Sequence, residues 1–225
     1  MKKLYFLLCI LYTTPILFSS CDSKSKKDKN DTNKSDTSTH REKENSINEI
    51  ADNTNTNALN GSYHFHSEDT IVWKAKHNDD EGFVHIGTVE ISSGGVEVIE
   101  NQLVSGEIVI DLTTLQKGNP RLDNHLKNDD FFNVTVFPNA TFQLKSHDNG
   151  TVTGALTVIG ITKEISFPLT MSMNENSFSI SGEFELDLLP FELPSLVKVE
   201  NSPEKEKASG PSSKVNIAIE LTAQP

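Results

Sequence analysis

The sequence predicts an all-β antiparallel barrel or sandwich carried behind a long polar leader. Two observations predict it. From Tyr63 onward, apolar and polar residues alternate with period two in many short runs, as in Ile71-Val72-Trp73-Lys74-Ala75-Lys76 and Thr141-Phe142-Gln143-Leu144. Gly, Asn, Asp and Ser punctuate those runs about every ten residues, the spacing of turns in sandwiches and barrels. A third observation limits what can hold the fold together. The chain of 225 residues has two cysteines, and both precede the alternating region.

The first residues read Met1-Lys2-Lys3, then an apolar run from Leu4 to Phe18, then Ser19-Ser20-Cys21. A charged start, a short apolar stretch and small residues at its end are the marks of a cleaved export signal. The run falls short of the roughly 20 residues a membrane-spanning helix needs. Leu17-Phe18-Ser19-Ser20-Cys21 resembles the lipobox of bacterial lipoproteins, which implies acylation of Cys21 and a place in the cell envelope, lipid-anchored outside the cytoplasm. Cys9 lies within the signal. The expected organisation is a signal at 1–20, a tether at 21–59 and one folded domain at 60–225. The tether is rich in Ser, Thr, Asn, Asp and Lys and has no aromatic residue. It lacks the apolar surface that would offset its ordering entropy, so it is expected to be disordered.

Within the domain about eight or nine strands are expected. Thr88-Val89-Glu90-Ile91 precedes Ser92-Ser93-Gly94-Gly95, read as a turn. Val96-Glu97-Val98, Ile108-Val109-Ile110-Asp111, 151–158, 165–173, 178–186 and 215–221 follow. One short helix is expected after Pro120, where Leu122 and Leu126 are four apart and share a face. Pro190 and Pro194 interrupt any strand through 189–194, and 202–213 reads as an exposed polar loop.

Three stretches form a recognisable pattern: Tyr63-His64-Phe65-His66-Ser67 with Trp73-Lys74 and His85-Ile86-Gly87-Thr88-Val89; His125-Leu126-Lys127-Asn128-Asp129-Asp130-Phe131-Phe132-Asn133 running into Phe137-Pro138-Asn139-Ala140-Thr141-Phe142; and Gly154-Ala155-Leu156-Thr157-Val158-Ile159-Gly160-Ile161-Thr162-Lys163. Together they resemble the YceI-like polyisoprenoid-binding family over roughly 61–223. The resemblance implies a lipocalin-like, extended antiparallel β-barrel with an elongated apolar cavity for an isoprenoid chain or quinone tail, and no catalysis. After Phe184 the chain departs from the family: Leu186-Asp187-Leu188-Leu189-Pro190-Phe191-Glu192-Leu193-Pro194 stands where an aromatic, glycine-containing segment helps form one side of the cavity.

The residues alone leave two readings of the inward face. Ile71, Trp73, Val89, Ile91, Val96, Val98, Ile108, Ile110, Phe142, Leu144, Leu156, Val158, Phe167, Leu169, Phe178 and Ile180 would point inward. They form either a packed core or a chamber, since a barrel of about eight strands has room for one small ligand. The resemblance favours the chamber, with Phe131, Phe132 and Phe137 at its end. The expected partner is a long-chain apolar lipid. The alternative is an envelope interaction protein with a packed barrel, using 189–213 as its contact surface.

Other chemistries find little support. The net charge of −12 argues against nucleic acid, which needs concentrated Lys and Arg. His64 and His66 share a strand face, and His77 and His85 on neighbouring strands could approach them. Zinc would need three or four convergent ligands, and no spacing matches a standard motif, so no metal is expected. His125, Asp129 and Asp130 are the only hint of acid–base chemistry; an Asp there is better read as capping the turn before Phe131. There is no nucleophile elbow, phosphate loop or carboxylate pair, and no catalytic residue or cofactor is expected.

Overall fold

The computed structural model describes residues 58–225, apart from 68, 79–83 and 175–176, with the backbone alone at 205–206. The signal segment, Cys21 and nearly all of the tether lie outside the described residues. Leu59 already belongs to the fold: its N–H donates to Asn101 Oδ1 at 2.7 Å, and its carbonyl accepts from Asn101 N–H at 3.2 Å.

Ten strands occur among the described residues, in the order β1 (Gly61–Phe65), β2 (Thr70–His77), β3 (Val84–Ile99), β4 (Gln102–Gln116), β5 (Asn139–Asp148), β6 (Thr151–Val158), β7 (Ile161–Pro168), β8 (Thr170–Asn174), β9 (Ser177–Asp187) and β10 (Pro211–Gln224). All pairings are antiparallel. They form one sheet closed into a barrel. Two positions in the wall are each shared by two strands. β1 and β2 both lie between β3 and β10. β7 and β8 are one run of chain that changes partner at Leu169: β7 pairs β6, and β8 pairs β9. Closure therefore comes through chain continuity, and no ladder joins β7 to β9 among the described residues. There the ring of Phe167 stacks on Phe184, with centroids 4.2 Å apart.

The hairpin turns place positive φ at both central residues, which Asn101, Asn149, Gly150 and Gly160 tolerate and Glu100 and Ile159 adopt against their preference. Glu100-Asn101, Asn149-Gly150 and Ile159-Gly160 all take φ between 43° and 79°, as two-residue type I′ turns require. At the third, Thr157 and Thr162 hydroxyls meet across the strands at 2.8 Å. The expected turn at Ser92-Ser93-Gly94-Gly95 is not one. β3 runs straight through it, with a register shift against β4 between Ile91 and Ser93. The stretch is a bulge, and its glycines permit close approach: a Cβ on Gly95 would lie 3.0 Å from His64 Nδ1.

Pro120 opens α1 (Pro120–Lys127), and the Asn119 side chain caps its first N–H groups. Proline at the first helical position costs nothing in hydrogen bonds. One helix is too few, however. The stretch 189–213 holds a 3-10 turn (Leu189–Phe191), α2 (Pro194–Glu200) and α3 (Glu204–Ser209). Phe191, Leu193 and Leu196 are buried there, and 202–213, expected as an exposed loop, instead carries α3 and the first residues of β10. Pro190 and Pro194 stop strands as expected, but each also starts a helical turn. The turn before Phe131 is likewise built differently. Asn128, not an aspartate, supplies the side-chain acceptor, taking Asp130 N–H at 2.9 Å.

The helices all sit at one end of the barrel, on the β4–β5 and β9–β10 connections. The other end is sealed by side chains. Phe178 is 1% exposed, with Tyr63 edge-on at 5.1 Å and Phe65 at 6.3 Å. Ile91 and Val98 are fully buried in the same core.

Candidate functional site: an apolar chamber with a basic rim

Above the aromatic plug the barrel holds a cavity of about 320 Å³. Its walls come from every strand position. Ile71 and Trp73 on β2, Val89 on β3, Ile108 and Ile110 on β4, Phe142 and Leu144 on β5, Leu156 and Val158 on β6 and Phe167 on β7 all line it, and Phe131 and Phe132 reach it from the loop after α1. Phe137 does not line it. Its ring lies outside, 3.2 Å from where a Cβ on Gly160 would stand. Ile91, Val98 and Phe178 point inward but belong to the sealed end rather than the lining.

The space has a visible consequence for burial. Ile108, Ile110, Phe142 and Leu144 have inner-face positions, yet each is only half-buried. A packed interior at native density would cover them. The chamber also sets local backbone chemistry. Trp73 pairs directly with Gly87 across the β2–β3 ladder, and its ring occupies the space a Cβ there would need. Trp73 Nε1 donates to the Thr88 carbonyl at 3.3 Å, so its one polar atom is satisfied inside an apolar wall.

Several lining residues were not singled out by strand alternation. Leu122 and Leu126 on α1, and Leu188 and Leu196 from the segment after β9, close the helix end. Leu122 and Leu126 share the face their spacing predicts. Leu188 and Leu196 could have been found from the density of apolar residues between 186 and 199, which is too high for a solvated loop. α2 is tied across the opening by one main-chain bond, Ser195 N–H to the Asp130 carbonyl at 2.8 Å.

Polar groups gather at the helix end. Lys76, His77, His85, His125 and Ser212 line the cavity there. Lys117 Nζ lies 2.7 Å from His85 Nδ1, and the His77 and His85 rings are 5.8 Å apart. Burial holds His85 below its ordinary pKa, aided by the Lys117 charge and by His77. His64 is elsewhere: it pairs with Gly95, ten residues along β3 from His85, roughly 30 Å of strand. The approach of the two histidine pairs that the sequence left open does not occur, and among the described residues no three His, Cys, Asp or Glu side chains are placed to share a metal ion. His125 lies 3.8 Å from Asp130 and edge-on to Phe131 at 5.1 Å, a structural contact at the rim.

Comparison with known proteins follows the same outline. A family model described as YceI-like domain matches residues 63–223. A UPF0312 protein of Staphylococcus aureus strain N315 is 42% identical over 55 residues, 24% of this chain and 32% of that protein. The match thus spans about a third of the length of the curated relatives. Among solved structures, BcnA of Burkholderia cenocepacia superposes with a TM-score of 0.57 at 19% identity, covering 69% of this chain and 96% of that one. A polyisoprenoid binding domain from Saccharophagus degradans, implicated in plant cell wall breakdown, gives 0.55 at 14% identity, covering 72% and 97%. These two likenesses establish a shared barrel fold.

Proposed function

Because the chain belongs to the YceI-like domain family, we propose that it is a non-enzymatic binding protein that holds the apolar chain of a polyisoprenoid, quinone or similar lipid inside its barrel. The observation that carries this reading is the cavity of about 320 Å³ with an almost wholly apolar wall. That volume sits at the lower end of the roughly 300–1,000 Å³ typical of small-molecule sites. Transfer of a hydrocarbon chain into such a wall contributes about 0.8 kcal/mol for each CH₂ group removed from water. A tail longer than the chamber must extend past the helix end, since Phe178 and its neighbours block the other. The name of the Saccharophagus degradans neighbour supports the isoprenoid class. The cavity weighs against a packed barrel that serves only as an interaction surface.

The same reading places the domain at the cell envelope, held to a membrane through acylated Cys21 and spaced from it by the tether. Lipid carried by an anchored barrel would be taken from, or delivered to, the membrane within the tether's reach.

The test is extraction and mass spectrometry of lipid from the full chain purified from its native host, with titration of an isoprenoid against Trp73, the single tryptophan. Recovery of an apolar lipid and quenching of Trp73 are expected. An empty protein whose fluorescence ignores added isoprenoid refutes the binding reading. For the anchor, Cys21→Ala should move the protein from the membrane to the soluble fraction; unchanged partition refutes it.

A further inference from the structure

Side chains cover both ends of the chamber. Phe178 and its aromatic neighbours close one, and Leu122, Leu126, Leu188 and Leu196 lie across the other. Between the ends, neighbouring strands of the wall are joined by a ladder, except β7 and β9, which share none among the described residues. β7 gives its main-chain groups to β6 from Ile161 to Pro168. β9 pairs β10 from Phe178 to Asp187, but its ladder with β8 ends at Ser181, opposite Thr170. From Gly182 to Asp187, roughly 20 Å of strand, β9 therefore meets β7 through side chains. Gly182 marks the foot of this seam. A Cβ there would stand 2.7 Å from the Pro168 carbonyl oxygen, so the two runs close together where the β8 ladder takes over. The charged side chains keep the same division. Glu164 on β7 binds back to Lys145 on β5 at 2.7 Å. Glu183 and Glu185 on β9 bind Lys74 on β2 and Lys214 on β10, at 3.2 and 2.8 Å. None of these pairs crosses the seam. Its inner face carries Ile165 and Phe167 on one side and Phe184 and Leu186 on the other, all four lining the cavity, with Phe167 stacked on Phe184.

We propose that the β7–β9 seam is the port of the chamber: the lipid chain is laid in sideways as Phe167 parts from Phe184, and it leaves the same way. The inference rests on the lipid-binding reading above. Threading a chain end-first would displace leucines from two helical segments and break the Ser195–Asp130 main-chain bond across the opening. Parting the seam breaks no ladder among the described residues. It separates apolar side chains, which the arriving chain covers again, so little apolar surface is left in water. The charges beside the gap are bound away from it and stay paired as it opens. The seam runs up to the helix end, so a tail longer than the chamber still projects there.

The experiment fastens each route in turn and follows farnesol uptake by stopped-flow quenching of Trp73. One step from the Phe167–Phe184 stack along each of these antiparallel edges brings Ser166 opposite Glu185, both exposed. In a full chain carrying Cys9→Ala and Cys21→Ala, Ser166→Cys and Glu185→Cys are joined by a short bis-maleimide after folding. A second chain joins Ser195→Cys to Asp130→Cys at the helix end. Each is compared with the same chain whose thiols are capped singly, so the substitutions themselves cancel. The seam cross-link should slow uptake at least roughly tenfold, since the port is then held shut, and the helix-end cross-link should leave the rate unchanged. Phe184→Leu, which needs no cross-link, removes the stack and should speed uptake and release about two- to tenfold. A seam cross-link without effect, a helix-end cross-link that slows uptake as much, or wild-type rates in Phe184→Leu overturns the port and leaves the chamber intact. Failure of the unmodified protein to bind farnesol refutes the chamber reading itself.

Discussion

Gly87→Ala is the most direct probe of how the chamber wall is assembled. A Cβ at this position would stand 2.2 Å from the Gln116 carbonyl oxygen and 2.3 and 2.5 Å from two carbons of the Trp73 indole. Ordinary carbon contacts begin near 3.4 Å, so ring and strand must give by about 1 Å. Overpacking of this kind costs about 1–3 kcal/mol. Alanine returns about 0.4–1 kcal/mol by restricting the unfolded chain. The net loss is therefore at most about 2.6 kcal/mol and centred on about 1.3 kcal/mol, or roughly 3–5 °C in Tm at that centre for a domain of this size. The ring's only free direction is into the cavity it already lines, so Trp73 emission should shift and ligand affinity should fall with stability. Urea unfolding followed by circular dichroism gives the stability, and emission spectra give the ring environment. In a Trp73→Leu background the cost of Gly87→Ala should shrink, leaving only the clash with the Gln116 carbonyl. Wild-type stability together with unchanged emission would refute the cross-strand packing described here.

Other substitutions separate chamber from plug. Leu156→Trp adds volume to an inner wall residue that is 6% exposed; it should abolish uptake of a farnesyl chain at a stability cost of about 1–3 kcal/mol, read by the same fluorescence titration and urea melts. Phe178→Ala removes the centre of the aromatic seal and should cost about 3–5 kcal/mol, read by the same urea melts. Stability should also depend on pH through His85. Its pKa is lowered from 6.5 in the fold, so below that value the unfolded chain takes up a proton that the folded chain resists. The stability His85 contributes is complete above 6.5 and is lost as pH falls from there toward the folded value. Urea midpoints at pH 7.5 and 5.5 should fall more steeply for wild type than for His85→Gln, and parallel slopes would contradict the assigned environment.

The barrel was legible because its signal is repeated. Each strand carries the same inward–outward alternation, and Asn149-Gly150 and the Gly160 turn have residues whose backbone preferences dictate a tight hairpin. Ser92-Ser93-Gly94-Gly95 misleads because glycine serves a bulge as well as a turn, and only the partner strand decides which. Alternation also cannot tell a lining residue from a plug residue: Ile110 and Ile91 read alike, but one faces the cavity and the other the sealed end. Phe137 was expected among the cavity residues because it is aromatic and follows Phe131 and Phe132, but it packs outside on the turn at Gly160. The segment after Phe184 was the least legible. Its prolines are good evidence against a strand and say nothing against helices, and Leu188 and Leu196 reach the cavity through a local fold that has no two-residue rhythm. The rim pairing of Lys117 with His85 spans 32 residues and has no local sequence signal.

The change of partner at Leu169 makes the wall mechanically uneven. Around most of the circumference, spreading adjacent strands would break a row of main-chain bonds, each contributing about 0.5–1.5 kcal/mol. Between β7 and β9 no ladder stands among the described residues; side chains pack there instead, with Phe167 stacked on Phe184, a pair that contributes about 0.5–1.5 kcal/mol beyond the area it buries. Any widening of the bore would therefore start along this seam, where side-chain packing yields before a row of main-chain bonds does, while the rest of the staves stay fastened.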